Sequence, residues 1–148
     1  MSKVLVVYGS TTGNTEHVAE VVGEVLRKSG KEVVVKNVTD TKVSELGDGY
    51  DMTLLGVSTW GDEEIEFQED FDSFYQDMDD AKLEGKKVAL FGCGDSSYEH
   101  FCGAVVLLRQ KVEALSADLV NEPLLIDGDP SVVRSEIEEW AEEVGRAA

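Results

Sequence analysis

The sequence predicts an α/β chain: a five-stranded parallel sheet in the order 2-1-3-4-5, with helices on both faces. Three observations lead there. Five short Val- and Leu-rich runs are separated by helical stripes, and strands alternating with helices imply a parallel sheet covered on both sides. The first run, Val4–Gly9, is unbroken in its apolar character, as a strand buried on both faces must be. Right-handed crossovers among five strands leave few topologies, and 2-1-3-4-5 is a common one.

The elements follow in order. Residues 3–30 hold strand 1, a loop at Ser10–Thr15, and a helix with Val18, Val21, Val22, Val25 and Leu26 on one stripe; Gly30 is its stop. Glu32–Val38 is strand 2. Thr39–Gly49 is polar, with a short helical turn expected around Val43–Leu46. Asp51–Ser58 is strand 3 and Thr59–Glu64 a loop. Phe67, Phe71, Phe74 and Met78 then fall on one helical stripe, read as core, with an acidic outer face at Glu64, Glu66, Glu69, Asp70 and Asp72. Lys87–Gly92 is strand 4 and Cys93–Cys102 a loop. The next helix turns Val105, Leu108, Val112 and Leu115 inward. Asp118–Ile126 is strand 5, interrupted near Pro123. Asp129-Pro130 opens the last helix, whose inner stripe is Val133, Ile137, Trp140, Ala141 and Val144.

Composition bounds the function. The 148 residues form one domain, 1–148, large enough to bury about 70% of the unfolded surface. No apolar run approaches the roughly 20 residues of a membrane span. The N-terminus enters a strand at once, which leads us to expect no secretory signal and a cytoplasmic protein. Acidic residues outnumber basic ones 31 to 13, a net charge of −18. That argues against nucleic acid, whose phosphates need Lys and Arg, and allows steering towards basic partners. Cys93 and Cys102, with His100 between them, match no zinc spacing and imply no disulfide framework, so no metal is expected.

In the strand order 2-1-3-4-5, direction reverses between strands 1 and 3, and ligands sit at such switch points beyond the C-terminal strand ends. Three loops should meet there: Ser10–Thr15, Ser58–Glu64 and Cys93–Cys102. The first is Ser10-Thr11-Thr12-Gly13-Asn14-Thr15, with four hydroxyls in six positions at a helix N-terminus. Free backbone N–H groups and the helix dipole favour an anion there, and small residues allow close approach. A phosphate cradle of neutral donors is one reading; ordinary cap and turn chemistry is the other. The loop lacks the Lys of a triphosphate loop and the Gly spacing of a dinucleotide fold. The other two loops carry Trp60, Tyr98 and Phe101, aromatics that the core stripes do not explain. They could sandwich a flat ring or cap the sheet end. None of the three loops contains Lys or Arg. The fitting ligand is mononucleotide-like, with a ring that must not be stabilised as an anion.

These motifs, together with Ser58-Thr59-Trp60-Gly61-Asp62 and Cys93-Gly94-Asp95-Ser96-Ser97-Tyr98, resemble those of short-chain flavodoxins over essentially the whole chain. The likeness is greatest to those of sulfate-reducing anaerobic bacteria. It implies a flavodoxin-like three-layer sandwich and a low-potential one-electron carrier. The carrier binds FMN non-covalently and cycles it between semiquinone and hydroquinone. The resemblance thus implies a redox carrier and not an enzyme with its own substrate. Carried onto this sequence, Ser10, Thr11, Thr12, Asn14 and Thr15, with Gly13 among them and Ser58 nearby, hold the phosphate. Trp60 and Tyr98 flank the isoalloxazine, with Cys93, Gly94 and Phe101 in the same loop wall. Backbone groups of Thr59, Asp95 and Cys102 meet the polar edge, and Gly61-Asp62 resembles the redox-switching peptide. Partners would be redox proteins with basic surfaces, such as cytochromes and oxidoreductases, met transiently by a monomer.

Three alternatives each make a demand on the chain. A phosphoacceptor receiver domain needs clustered acids after strand 1 and a Lys after strand 5, where Gly9-Ser10 and Asp127 stand. A small tyrosine phosphatase needs Cys and Arg in the first loop, and neither is present. An FMN-dependent reductase would need an additional substrate segment.

Overall fold

The computed structural model describes residues 3–9, 14–42, 46, 49–60, 66–67, 74–78, 83–94, 103–127 and 133–147, with backbone alone at 14, 58–60, 66–67, 93–94, 103–104 and 127. Strand β1 (Lys3–Gly9) pairs in parallel with β2 (Glu32–Asn37) on one side and β3 (Met52–Trp60) on the other. β3 pairs in parallel with β5 (Lys87–Gly94). The next position is shared: β6 (Asp118–Leu119) pairs with the start of β5, and β7 (Leu124–Asp127) with its end. The described path is therefore β2-β1-β3-β5-β6/β7, the expected 2-1-3-4-5 order with its last strand broken at Pro123. A two-residue strand β4 (Glu66–Phe67) pairs antiparallel with the end of β3.

Alternation along the central strands feeds two cores. Val4 and Val6 of β1, Met52 and Leu54 of β3, and Ala89 and Phe91 of β5 face helices α1 (Asn14–Lys28) and α3 (Arg134–Ala147). Leu5, Val7, Leu55, Val57, Val88 and Leu90 face the helical residues 74–78 and helix α2 (Gly103–Ala114). Period-2 side-chain direction makes this two-sided burial compulsory for strands that are apolar throughout. Most of the predicted stripes is buried: Val18, Val21, Val22 and Leu26; Val105, Leu108 and Val112; Ile137, Trp140, Ala141 and Val144; Val25, Val133 and Leu115, the last just past the end of α2, are half-buried.

Helix ends explain the connections. Gly30 takes φ +88°, its N–H bonds to Arg27 O at 3.0 Å, and the Lys31 N–H reaches Leu26 O at 3.1 Å. This is a Schellman stop, which needs a residue without a Cβ penalty in the left-handed region. Ser116 closes α2 in the same way at φ 62°, with Ala117 N–H bonded to Val112 O at 3.0 Å.

Four local expectations are corrected. Val38 leaves strand 2 to begin a 3₁₀ turn (Val38–Asp40), because the Asn37 side chain accepts the Thr39 N–H and caps it. β3 runs on through Thr59 and Trp60, because β4 supplies it with an antiparallel partner there. β5 continues through Cys93 and Gly94, because both neighbours keep pairing: Ser58 with Cys93, and Ile126 and Asp127 with Cys93 and Gly94. Phe67 lies in β4 and not on the helical stripe; Phe74 and Met78 are buried as expected, and Phe71 is outside the described residues. Of the expected turn at Val43–Leu46 only Leu46 is described, in a turn and buried. The expected helix start at Asp129-Pro130 also lies outside the described residues.

Candidate functional site

The ends of β1, β3 and β5 lie side by side. Register sets them level: Gly9 pairs with Val57, Val57 with Gly92, and Ser58 with Cys93. The chain leaves β1 towards β2 and returns to β3 on the opposite side, so the switch point falls between β1 and β3. α1 begins at Asn14, a short connection beyond the end of β1, and the first turn of any α-helix points its N–H groups outward along the axis. Thr15 in that turn is completely buried. A helix N-terminus is thus set at the crevice where the fold admits a ligand.

The expected site residues divide as follows. Asn14, Ser58, Thr59, Trp60, Cys93 and Gly94 have their backbones at this rim, on the first residue of α1 and the last residues of β3 and β5. Thr15 is there with its side chain. Ser10, Thr11, Thr12, Gly13, Gly61, Asp62, Asp95, Tyr98, Phe101 and Cys102 lie outside the described residues. By sequence they join elements that end at the rim: residues 10–13 link β1 to α1, Gly61 and Asp62 lie between β3 and β4, and residues 95–102 link β5 to α2.

By sequence, the three connections at this rim carry no cationic side chain. Residues 10–15, 58–64 and 93–102 contain no Lys or Arg, so an anion must be met by N–H and O–H groups. Arg109 in α2 is the cation that follows the third loop, and it is already engaged. Its Nε lies 3.1 Å from Glu113 Oε1 and its Nη1 3.0 Å from Glu122 Oε2. Those two bonds hold its pKa above the ordinary arginine value.

Two further residues lie close to these strand ends, and the stripe reading did not single them out. Gly56 in β3 and Gly92 in β5 sit where a Cβ would collide, with the Phe91 ring and with Val105 respectively. A lone Gly inside a strand pattern is the signal for close approach. The sequence does not say what approaches.

The family model described as Flavodoxin matches residues 6–140. The flavodoxin of Maridesulfovibrio salexigens is 54% identical over 140 residues, covering 95% of this chain and 94% of that one. The flavodoxin of Nitratidesulfovibrio vulgaris is 45% identical over 141 residues, covering 95% of each chain. Among solved structures, oxidised flavodoxin 1 of Bacillus cereus superimposes with a TM-score of 0.90 at 33% identity, covering 99% of both chains. The Fusobacterium nucleatum flavodoxin bound to flavin mononucleotide, at TM-score 0.83 and 18% identity, shares the fold. With level strand ends, a helix N-terminus at the switch point and a cation-free donor set all in agreement with these likenesses, the chain belongs to the flavodoxin family.

Proposed function

We propose that this chain binds FMN at the β1/β3 switch point and acts as a low-potential one-electron carrier. It is a carrier without a substrate of its own, so neither a reductase nor a receiver domain is favoured. When bound, FMN supplies the redox chemistry, and the protein supplies binding, orientation and electrostatics. The observation that carries this reading is the helix N-terminus at Asn14 beside the level ends of β3 and β5, in a chain whose three rim loops bear no cation.

Each residue then has a task. Ser10, Thr11, Thr12, Asn14 and Thr15 hold the phosphate through hydroxyl, amide and backbone N–H donors, with Gly13 allowing close approach and Ser58 alongside. Trp60 and Tyr98 would supply the aromatic surfaces against which the ring packs. Backbone groups of Thr59, Asp95 and Cys102 meet its polar edge, within a wall that includes Cys93, Gly94 and Phe101. Gly accepts either sign of φ, so a carbonyl at Gly61 would be suited to accept a hydrogen bond from a ring N–H. A hydrogen bond of this kind is worth about 1 kcal/mol net. The absence of cations, with carboxylates nearby, opposes the arrival of the second electron.

The same charge suits transient encounter with basic redox proteins, such as cytochromes, by a monomeric, single-domain cytoplasmic carrier. Among the described residues no helix is long and apolar enough to cross a membrane.

The test is a visible spectrum of the purified protein, then titration of the apo-protein with FMN and with riboflavin. We expect a yellow protein and tighter binding of FMN. A preparation that stays colourless after FMN is added refutes the reading. Steady NADH oxidation by the protein alone would favour the reductase.

A further inference from the structure

Val105 rests on Gly92 at a distance that leaves no room for a side chain. A Cβ on Gly92 would lie 2.2 Å from Val105 Cγ2 and 2.6 Å from the Val57 carbonyl oxygen. Carbon–carbon contact is comfortable from about 3.5 Å, so an alanine there would press Val105 back by roughly 1.3 Å. Val105 has little freedom to yield. It is 1% exposed in the first turn of α2, packed in the core with Leu108 and Val112. A Val in a helix also has one strongly preferred χ1 rotamer. The displacement must pass into the backbone of that first turn.

We propose that this seat is a positioning device for the ring side of the cofactor site. It fixes the height of the α2 start above β5, and so fixes the far anchor of the connection between Gly94 and Gly103. That connection carries Asp95, Tyr98, Phe101 and Cys102, the residues assigned to the ring, so the inference rests on the FMN reading above. The phosphate end is anchored independently. Its helix, α1, packs on the opposite face of the sheet, in the core that holds Phe91 and Trp140. A disturbance passed through Val105 therefore acts on the ring side and leaves α1 in place, whereas the Val57 carbonyl adjoins Ser58 on the phosphate side.

The experiment measures Kd for FMN and for riboflavin by quenching of flavin fluorescence. It uses the apo-forms of wild type, Gly92→Ala, Val105→Ala and the double variant. Gly92→Ala is expected to weaken both flavins by up to about 100-fold, the upper end of what overpacking costs. The riboflavin-to-FMN ratio of Kd values is read in Val105→Ala, which leaves the Val57 carbonyl untouched and should keep the wild-type ratio. Val105→Ala, which empties the seat from the helix side, is expected to weaken both about tenfold at the same ratio, and it serves alone if Gly92→Ala does not fold. The double variant relieves the contact with Val105, though not that with the Val57 carbonyl, and should bind both flavins about tenfold more tightly than Gly92→Ala. Three results overturn the proposal: single variants that bind as wild type does, a loss confined to FMN, or a double variant no better than Gly92→Ala. A wild-type protein that binds neither flavin refutes the FMN reading itself and this inference with it, a result distinct from the other three.

Discussion

Gly56 of β3 lies directly under the ring of Phe91 of β5, its register partner: a Cβ on Gly56 would fall 2.1 Å from Phe91 Cε2 and 2.3 Å from Cζ. Phe91 is fully buried, and its ring meets Trp140 of α3 edge-on, with centroids 6.0 Å apart at 66°. The aromatic pair thus docks the last helix onto the sheet only because β3 offers a bare backbone beneath it. Gly56→Ala must push the ring off this position. Overpacking of this kind costs about 1–3 kcal/mol, and a rigid ring between strand and helix belongs at the upper end. Urea unfolding should show that loss, with the near-UV circular dichroism of the Phe91–Trp140 pair altered. Phe91→Leu in the same background should recover part of it. Unchanged stability in Gly56→Ala would mean that the ring is not confined.

Ser116 takes a left-handed conformation at the end of α2, which costs a residue with a Cβ roughly 1–2 kcal/mol. Its carbonyl also accepts the Gly85 N–H at 2.9 Å, so the conformation serves the approach to β5 as well as the helix stop. The side chain is exposed, and no space constraint demands serine. Ser116→Gly should therefore stabilise the protein by about 1 kcal/mol. Thermal unfolding checks this, and flavin affinity should not change, because the turn lies at the opposite end of α2 from Gly103.

The large features of this fold are legible in the sequence because they rest on local repetition. Val4–Gly9 reads as a central strand since both of its faces are apolar. The α1, α2 and α3 stripes are mostly buried, as their spacing requires. The break at Pro123 is legible because proline cannot donate to a ladder. What escapes is decided by partners distant in the chain. Trp60 becomes a strand residue because Glu66 pairs with it, and Phe67 leaves the helical stripe for the same reason. Nothing in the neighbourhood of either residue encodes that pairing. At the site, the small polar loop after β1 and the aromatics Trp60 and Tyr98 stand out by composition. Gly92 does not, because its meaning lies in Val105, thirteen positions on and one element away.

Tyr8, at the end of β1, holds its proton more tightly than an ordinary tyrosine. Partial burial is the main cause, and the carboxylates of Glu16, Glu20 and Asp40 add to it, while a hydrogen bond with the Asn37 side chain opposes it. The sign follows from linkage. The folded-state pKa is raised, so the contribution to stability is complete below the unfolded value near 10. It is lost as pH rises through the folded value, because the unfolded chain then releases the proton more readily. Tyr8→Phe should therefore lessen the fall in stability above about pH 10 while changing its slope little near neutrality. Denaturant titrations at a series of pH values, with tyrosinate absorbance followed in the folded protein, measure both sides. Identical alkaline slopes in the two proteins would show that Tyr8 is not linked to folding.

The proposed carrier function makes a demand on charge. Asp62, Glu63, Glu64, Asp95 and Glu99 belong to the loops that join the rim elements, in a chain of net charge −18. A carboxylate about 10 Å from an anionic ring costs it roughly 0.4–1.7 kcal/mol at effective dielectrics of 80 to 20. For one electron that is on the order of 20–70 mV each. Replacing these five by their amides should raise the lower of the two one-electron potentials stepwise, with little change in the upper one, where the electron leaves no net charge once a proton follows it. The shifts should be largest near 0.01 M salt, where the screening length is about 30 Å, and should shrink towards 1 M, where it is about 3 Å. A lower potential that does not respond to neutralisation at low salt would remove electrostatics as its cause. The resistance to the second electron would then have to come from stacking on Trp60 and Tyr98 and from exclusion of water.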